Sequence, residues 1–192
     1  MAVLIVATGN PGKVKEMAAY LASLGWELRL KPPNLEIEET GHTFLENACL
    51  KASQVAKATG EWAIADDSGL EVEALNGEPG IYSARYGNCR SDVERTQHLL
   101  TKLADHPNRK AQFVCAIAIA QPDGTIALQS EGICLGEILP APRGNGGFGY
   151  DPVFYLPEHQ MTFAEMPAEL KNAVSHRGKA FTSLIPQLAS AN

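Results

Sequence analysis

Apolar positions change spacing along the chain, and the first run has a strand pattern. Residues 3–7 are apolar and mostly β-branched or alanine, and a glycine-containing turn follows at once. Such a run predicts a buried strand of a parallel or mixed sheet. From Val14 to Leu24 the apolar residues recur at helical spacing, and Gly25 follows as a stop signal. The chain is therefore predicted to open as strand, glycine loop and helix.

The next segment predicts a second strand and a capped helix. The strand covers Trp26 to Leu30, and Pro32 with Pro33 ends it. Thr43 begins the helix, because Glu46 three residues later completes a capping box, and Gly60 marks its end.

The same start signal recurs twice further along the chain. Ser91 with Glu94 predicts a helix that runs to about Ala104. Thr162 with Glu165 repeats the spacing and predicts another helix start.

Strand patterns fill the intervals between these helices. A short strand is predicted from Trp62 to Ala65 and a longer one from Ala111 to Ala120. Residues 122–124 (Pro-Asp-Gly) then turn the chain into a strand from Thr125 to about Leu135. Helices interleaved with strands, plus one long hairpin, predict an α/β fold with a mixed central sheet and flanking helices.

No internal repeat, low-complexity tract or polar linker interrupts the 192 residues. We therefore expect one domain over residues 1–192, arranged as two lobes around an active-site cleft. Its 45% hydrophobic and 20% charged residues are typical of a globular protein that folds by itself.

The net charge changes the range of expected partners. A formal charge of −6 and a pI near 5.4 argue against nucleic-acid binding, which needs clustered Lys and Arg to neutralise many phosphates. A small polyanion can still bind if a few cations converge and a metal ion helps.

The cysteines and the N-terminus bear on the compartment. The four cysteines form no C-x-x-C pair, so neither a zinc site nor a redox dithiol is indicated. The apolar run from Ala2 to Ala7 has no basic residue before it and meets Thr8-Gly9-Asn10 at once, too soon for a signal peptide or a membrane span. We expect a reduced, cytoplasmic protein with no membrane partner.

The loop after the first strand is the first candidate site. Its sequence is Thr8-Gly9-Asn10-Pro11-Gly12-Lys13. Free N–H groups and the helix dipole favour an anion between a strand and a helix, although a plain turn fits the residues equally well. It is not a Walker A loop, because only two residues separate the glycines and Val14 follows the lysine.

Adjacent carboxylates form the second candidate. Asp66 and Asp67, followed by Ser68-Gly69-Leu70, come directly after the predicted strand ending at Ala65. Two such carboxylates repel each other unless a cation or hydrogen-bond donors compensate them, and a divalent metal such as Mg²⁺, which takes oxygen ligands, is the simplest compensation. The alternative is that one aspartate caps the turn while the other is solvated.

The third candidate is a lysine on the helix that is predicted to begin at Thr43. The helical period gives Phe44 and Val55 a common apolar face, with Lys51 beside it and Asn47 at its edge. Lys51 either extends along the surface to water or points into a polar cleft.

Two C-terminal segments complete the candidates. Residues 143–152 place four glycines around Phe148 and Tyr150, so the segment either approaches a ligand closely or is a loop closed by buried aromatics. In the first case Phe148 stacks on a base. Lys171 precedes Ser175-His176-Arg177-Gly178, in which His176 is either a general acid or a donor to a base carbonyl.

In their order along the chain, five segments resemble the non-canonical purine NTP pyrophosphatase family, also called inosine/xanthosine triphosphate pyrophosphatases. They are ATGNPGK (7–13), EETGHTFLENACLKA (38–52), DDSGLEVEALNGEPGIYSARY (66–86), GGFGYDPVF (146–154) and SHRGKA (175–180). The resemblance implies hydrolysis of ITP, dITP and XTP to the monophosphate and pyrophosphate, with Mg²⁺, by a homodimer that cleans the nucleotide pool.

The resemblance also implies roles for single residues. The loop from Thr8 to Lys13 would hold phosphates, and Asp67 would be both proton acceptor and metal ligand. The other substrate-binding positions would be Lys51, Ser68, Phe148, Gly149, Tyr150, Asp151, Lys171, His176 and Arg177. The acidic stretch leaves Glu36, Glu38 and Glu39 open as the second metal ligand, and we choose Glu38.

Base choice is a further expectation. His176 and Arg177 would donate hydrogen bonds to the 6-oxygen of hypoxanthine or xanthine while Phe148 stacks on the ring. Two alternatives to this activity stay open: a related pyrophosphatase of other base specificity, and a non-catalytic nucleotide sensor. Paired carboxylates near Lys13 and Lys51 favour the enzyme.

Overall fold

The computed structural model describes residues 3–22 and 24–190, and Ala2 of the N-terminal apolar run lies outside them. In chain order the elements are β1 (Val3–Val6), α1 (Pro11–Leu21), β2 (Glu27–Leu30), α2 (Phe44–Thr59), β3 (Trp62–Val72), α3 (Asp92–Lys102), β4 (Lys110–Ala120), β5 (Ile126–Ile138), β6 (Phe154–Leu156), β7 (Met161–Thr162), α4 (Ala168–Val174) and α5 (His176–Ser190). Two 3₁₀ segments, Glu73–Leu75 and Gly80–Asn88, lie between β3 and α3.

The strands form one hydrogen-bonded sheet in the order β2-β1-β3-β4-β5-β6-β7. Strand β1 pairs in parallel with both β2 and β3, whereas β6 pairs antiparallel with β5 and β7. Parallel and antiparallel pairs in one sheet, together with the helices between its strands, confirm the predicted mixed α/β fold.

The chain divides into two compact units. Unit 1 comprises residues 1–67, 115–132 and 176–192, and unit 2 comprises residues 68–114 and 133–175. The predicted cleft between two lobes stays a prediction, as does the single functional domain.

The core of unit 1 packs α1 and α5 on the sheet. Leu4 and Ile64 of β1 and β3 are fully buried against apolar residues of both helices. Tyr20 of α1 stacks on Phe181 of α5 with ring centroids 4.6 Å apart. Burial of these large side chains is the main force that holds the helices in place.

Aromatic rings dominate the core of unit 2. The ring centroids of Phe113, Phe154 and Phe163 lie 4.7–5.8 Å apart, in one edge-to-face, one stacked and one tilted pair. Leu99 and Leu103, at the end of α3, pack against the same cluster.

The capping signals are confirmed at α2 and α3. Thr43 accepts a hydrogen bond from the Glu46 amide at 3.1 Å, and Gly60 ends the helix in the left-handed conformation at φ 69°. Ser91 accepts one from the Glu94 amide at 3.2 Å. Each capping side chain satisfies an amide that the first helical turn leaves free.

The sequence placed the ends of several elements wrongly. Helix α1 begins at Pro11 rather than Val14 and ends at Leu21. Strand β3 continues to Val72, although the prediction ended it at Ala65. Strand β5 likewise continues to Ile138.

The helix predicted from Thr162 is absent, since residues 163–166 form turns and α4 begins only at Ala168. The Thr162 hydroxyl donates to the carbonyl of Arg143 at 2.8 Å instead of capping a helix. Pro167 also disfavours helical geometry at the residue before it, so no helix can pass through from Thr162.

Two further expectations concern the helices and the thiols. None of the helices within residues 3–22 and 24–190 has the length and hydropathy that a membrane span needs. The four cysteines are free thiols.

Candidate active site

The loop after β1 forms a capped helix start, and its phosphate-binding role stays a prediction. Asn10 caps α1, and its Oδ1 accepts hydrogen bonds from the amides of Gly12 at 2.9 Å and Lys13 at 3.3 Å. Pro11 occupies the first helical turn, where a missing N–H costs nothing. The loop thereby directs Lys13 inward, and its ammonium lies 3.1 Å from Asp66 Oδ2.

Asp66 is the centre of a buried charge cluster. Its Oδ2 accepts from Arg177 Nη2 at 2.8 Å and is within 3.1 Å of the Lys13 ammonium. Arg177 also contacts Glu16 Oε2 at 2.5 Å. Asp66 is 1% exposed and Arg177 is 1% exposed, so these contacts compensate charges that water cannot reach.

The cations decide the protonation state of Asp66. Burial by itself raises the pKa of this carboxyl, but Lys13, Arg177 and Lys51 outweigh that effect and hold the pKa below its ordinary value. Burial also disfavours the charged form of Arg177, and Asp66 and Glu16 more than offset this, so the pKa of the guanidinium is raised. Asp66 is therefore an ionised carboxylate in the folded protein.

This shift predicts a pH dependence of stability. Because the folded-state pKa of Asp66 lies below its unfolded value, the ionised carboxylate stabilises the fold above about pH 4, and this contribution is lost as the pH falls through the folded-state pKa. We expect the free energy of unfolding to decline with falling pH in that range, and to decline less steeply in Asp66→Asn.

Urea unfolding between about pH 6 and about pH 2, followed by circular dichroism, measures the two slopes. The exposed Asp105→Asn variant serves as the control and should keep the parent's slope. Equal slopes for the parent and Asp66→Asn would contradict the assignment.

Asp67 lies among residues of α2. Its Oδ1 is 3.0 Å from the Lys51 ammonium, and its Oδ2 accepts from Asn47 Nδ2 at 3.1 Å. Lys51 is buried, so it does not extend to water as the alternative held. Burial lowers the pKa of Lys51, and the carboxylates of Asp67, Asp66 and Glu39 more than offset this, so the pKa is raised overall.

The two aspartates belong to the interior of β3 rather than to a turn after it. Side chains alternate faces along a strand. Asp66 accordingly meets Lys13 and Arg177, whereas Asp67 meets Lys51 of α2. Asp66 is neither solvated nor the cap of a turn. Its charge is compensated by cations, as the first alternative held, and these cations are Lys13 and Arg177.

The acidic stretch contributes Glu39 to this group. Glu39 Oε1 is 2.9 Å from the Lys51 ammonium, which also contacts Asp67. Glu38 instead exchanges backbone hydrogen bonds with the side chain of Gln54, at 3.1 and 3.0 Å. Among the three exposed glutamates, Glu39 is thus the one shown in contact with Lys51, and the choice of metal ligand stays a prediction.

Two carboxylates near Lys51 are of the kind that could hold a Mg²⁺ ion. Asp67 and Glu39 both contact the Lys51 ammonium, which brings them close to each other. Mg²⁺ is commonly bound by one or two carboxylates together with waters and substrate phosphates. No group of three or more His, Cys, Asp or Glu side chains that could hold a metal occurs in residues 3–22 and 24–190, so a protein-only cage is not formed there.

In unit 2, the glycine-rich segment closes around Asp151. Asp151 Oδ2 accepts from the Phe148 amide at 2.8 Å and from the Lys171 ammonium at 2.7 Å. The same ammonium lies 4.8 Å from the centre of the half-buried Phe148 ring. A cation at this distance is attracted by the ring's π electrons.

Gly147 and Tyr150 explain why the segment needs glycine and aromatic residues together. Gly147 has φ 72°, and a Cβ there would lie 2.0 Å from Asp151 Oδ2. Tyr150 is buried, and its hydroxyl donates to the carbonyl of Ser83 at 2.9 Å. Burial raises the pKa of Tyr150, so the group is a neutral donor. Tyr150 is thus a buried aromatic of this loop, as one alternative held, and close approach of the segment to a ligand stays a prediction.

Ser68 and His176 have contrasting positions. Ser68 follows Asp67 within β3 and is half-buried in unit 2. His176 is buried at the start of α5, where β5 approaches so closely that a Cβ on Gly132 would lie 2.2 Å from the His176 carbonyl oxygen.

Arg177 contacts carboxylates in this structure. Its guanidinium binds Asp66 and Glu16, and these contacts assign it to holding Asp66. The base-reading role of Arg177 stays a prediction, and so does that of His176.

Two residues in these networks were not identified from the sequence. Glu16 lies three residues after Lys13 on α1, and this spacing brings both side chains to one face of the helix. Asp92 follows the capping Ser91, and its Oδ2 accepts from the Gly149 amide at 2.7 Å. The spacing was a usable signal for Glu16, whereas nothing near Asp92 points to residue 149.

Comparison with known proteins adds a family to this geometry. The sequence model of the Ham1 family matches residues 4–187. A dITP/XTP pyrophosphatase from Nostoc sp. is 68% identical over 188 residues, covering 98% of this chain and 95% of the relative. One from Synechocystis sp. is 63% identical over 187 residues, covering 97% and 95%.

Solved structures agree with the fold. A HAM1 protein from Coxiella burnetii is 43% identical and matches with a TM-score of 0.87, covering 100% of this chain and 98% of the other. The Staphylococcus aureus Ham1 protein is 42% identical with a TM-score of 0.83, covering 98% and 97%.

Proposed function

The chain belongs to the Ham1 family, and on that basis we propose that it hydrolyses dITP, XTP and ITP to the monophosphate and pyrophosphate. The observation that carries this proposal is the 68% identity, over nearly the whole of both chains, to a protein named dITP/XTP pyrophosphatase. The resemblance of the motifs around Lys13, Asp67 and Phe148 supports the same activity. Its role would be to clean the purine nucleotide pool.

Asp67 is the proposed general base. A water oxygen attacks the α-phosphorus in line, its proton passes to Asp67, and the bond to the oxygen bridging the α- and β-phosphorus breaks as pyrophosphate leaves. Each Asp67 oxygen accepts one hydrogen bond, from Lys51 or from Asn47. A carboxylate has about four acceptor positions, so Asp67 can accept a further hydrogen bond from the attacking water.

Two lysines supply positive charge. We assign Lys13 to the phosphates held by residues 8–13, and Lys51 to the charge that develops on the phosphate oxygens. The buried contacts to Asp66 and Asp67 hold both ammonium groups in defined positions before substrate arrives. Such preorganisation is effective because no reorganisation is then needed during the reaction.

Magnesium would be held by Asp67 and Glu39 together with the phosphates. When bound, the ion neutralises phosphate charge and helps to align the triphosphate for attack. Removal of divalent cations with a chelator should abolish turnover if this holds.

The nucleoside is assigned to residues of the glycine-rich segment and the C-terminal motif. Phe148 would stack on the base, as aromatic rings do with unpaired nucleobases. The further substrate contacts proposed are Ser68, Gly149, Tyr150, Asp151, Lys171, His176 and Arg177. Since the Lys171 ammonium lies over the Phe148 ring, one face of that ring is committed to the protein.

Replacing Lys13 by alanine should weaken triphosphate binding more than it slows the chemical step. A cation at the phosphate loop stabilises the ground state and the transition state alike, so we expect KM to rise by about tenfold with a small change in kcat. Steady-state kinetics with dITP measure both constants, and the solvent-facing Lys15→Ala is the control on the same helix. Unchanged KM and kcat would remove the phosphate role from the loop.

A panel of nucleoside triphosphates tests the activity itself. The protein is incubated with Mg²⁺ and dITP, XTP, ITP, ATP, GTP or a pyrimidine triphosphate, and products are resolved by chromatography. We expect monophosphate and pyrophosphate from the first three. Turnover confined to the others would indicate different base specificity, and binding without turnover would indicate a nucleotide sensor.

We further propose, from the resemblance, a cytoplasmic homodimer that binds neither nucleic acid nor membrane. The net charge of −6 supports the exclusion of nucleic acid, because a polynucleotide needs clustered cations. Light scattering after size exclusion gives the molar mass, which should be twice that of one chain.

A further inference from the structure

Side chains of helix α3 hold the peptide group of Gly149. None of the substrate contacts proposed above accounts for this arrangement. Asp92, in the first turn of α3, accepts the Gly149 N–H at 2.7 Å through Oδ2. Thr96, one turn later, points its hydroxyl toward the Gly149 carbonyl at 3.5 Å. Both polar groups of this glycine therefore face one turn of α3.

Asp92 is itself fixed in place. Its Oδ1 is paired with the guanidinium of Arg95, whose Nη1 donates to the carbonyl of Cys89 at 3.2 Å. A carboxylate that accepts from a backbone amide forms a charge-assisted hydrogen bond, which is stronger than one between neutral groups. The contact can thus hold a backbone that has little stiffness of its own.

Gly149 needs such a restraint because of its conformation. It has φ 61°, in the left-handed region that glycine enters freely, and a Cβ there would meet nothing within 4 Å. A side chain would fit into the space at position 149. Glycine is therefore needed for its backbone conformation and not for its small size. The preceding amide, of Phe148, is held by Asp151 at 2.8 Å, and two successive amides therefore end on two carboxylates.

We propose that Asp92 is a positioning residue that fixes the Gly149 peptide and thereby sets the orientation of the Phe148 ring that receives the purine. The inference rests on the proposed function, because it assumes that Phe148 contacts the base. Asp92 acts through Gly149 and Phe148 and does not touch the reacting phosphate. It should therefore affect nucleotide affinity and leave the chemical step unchanged.

Calorimetric binding of dIMP, the expected product, tests the proposal without depending on turnover. In Asp92→Ala we expect the Kd for dIMP and the KM for dITP to rise about tenfold, with kcat within about threefold of the parent. Asp92→Asn keeps an oxygen acceptor for the Gly149 amide, so its Kd should stay within about threefold of the parent's. Thermal melts establish that each variant is folded.

Glu94→Ala is the matched control. Glu94 is also acidic and in the first turn of α3, but its carboxylate accepts from the Arg90 amide and not from the glycine-rich segment. Both substitutions remove a negative charge from the same helix start, so a general loss of helix stability would appear in both. We expect Glu94→Ala to bind dIMP as the parent does.

A double-mutant cycle with Phe148→Ala identifies the route of the effect. If Asp92 acts through the ring, Asp92→Ala should add less than about twofold to the Kd once the ring is gone. A full tenfold effect in the Phe148→Ala background would overturn the proposal, as would a Kd for Asp92→Ala equal to that of the Glu94 control, or an effect on kcat alone.

The same measurements separate this inference from the proposed function. If the parent binds dIMP in an Asp92-dependent way but releases no pyrophosphate from dITP, the positioning role stands and the hydrolase proposal fails. If the parent hydrolyses dITP and Asp92→Ala behaves as the control, the hydrolase stands and the positioning role fails. A parent that does not bind dIMP would overturn the positioning role, whereas the hydrolase proposal is decided by pyrophosphate release from dITP alone.

Discussion

Asp67→Asn is expected to lower kcat for dITP hydrolysis by about 10²–10⁴ while the protein stays folded, because an amide cannot take the proton from the attacking water. The substitution keeps the size of the side chain, so the contacts with Asn47 and Lys51 change less than in Asp67→Ala. Pyrophosphate release at saturating dITP and Mg²⁺ gives kcat, and a thermal melt reports folding. The exposed Asp123→Asn is the control. A kcat within a few-fold of the parent's would show that Asp67 is not the base.

Arg177→Ala is expected to lower the free energy of unfolding by about 3 kcal/mol, the lower end of the range for breaking a buried ion pair. The guanidinium compensates Asp66, which is 1% exposed, and also contacts Glu16. Lys13 still contacts Asp66 after the substitution, and for this reason we expect the lower end. Urea denaturation measures the loss.

Arg143→Ala provides the comparison for that loss. Arg143 also pairs with a carboxylate, that of Glu165 at 2.7 Å, but its side chain is 46% exposed. Water screens an exposed pair, so Arg143→Ala should lower the free energy of unfolding much less than Arg177→Ala does. Equal losses in Arg177→Ala and Arg143→Ala would contradict the buried role.

The same Arg177 variant examines the base-reading hypothesis. If the guanidinium donates to the 6-oxygen of the purine, the ratio of kcat/KM for ITP to that for ATP should fall at least tenfold. If Arg177 instead holds Asp66, both rates should fall together with the ratio unchanged. Arg177→Lys keeps a charge near Asp66 without the two-pronged geometry, so it should retain more stability than Arg177→Ala.

Local signals in the sequence predicted much of the fold. The Thr43/Glu46 and Ser91/Glu94 pairs mark true helix starts, because capping depends on side chains within one turn. The same spacing at Thr162 fails, because Pro167 and the Thr162 contact with Arg143 outweigh it. Capping pairs are therefore reliable only where the following residues can also be helical.

Strand β3 shows where composition misleads. Asp, Ser and Gly at positions 66–69 are typical turn residues, so the strand was predicted to end at Ala65. The backbone stays extended because each aspartate meets cationic partners, Asp66 with Lys13 and Arg177, and Asp67 with Lys51. Those partners are distant in sequence, and single-sequence periodicity contains no information about them.

The family motifs predicted more residues of the candidate site than physical arguments from single residues did. The resemblance identified the segments that carry Lys51, Asp67 and Phe148, and the structure brings Lys51 to Asp67 within unit 1. The choice among Glu36, Glu38 and Glu39 depended on which side chain reaches Lys51, and an exposed acidic stretch gives no sequence signal for that. Asp92 likewise could not be identified from the sequence, because its partner Gly149 is 57 residues away.

The placement of Asp66 and Asp67 on opposite faces of β3 restricts where the chain can tolerate an insertion or a deletion. Inserting or deleting one residue between Trp62 and Ala65 would shift the strand by one position and exchange the two environments, since the side-chain period is two. The carboxylate next to Lys51 would then turn toward Arg177, and its neighbour toward α2. Length variation among descendants of this sequence should accordingly occur outside β3, and an engineered single-residue deletion there should be far more damaging than either aspartate substitution alone.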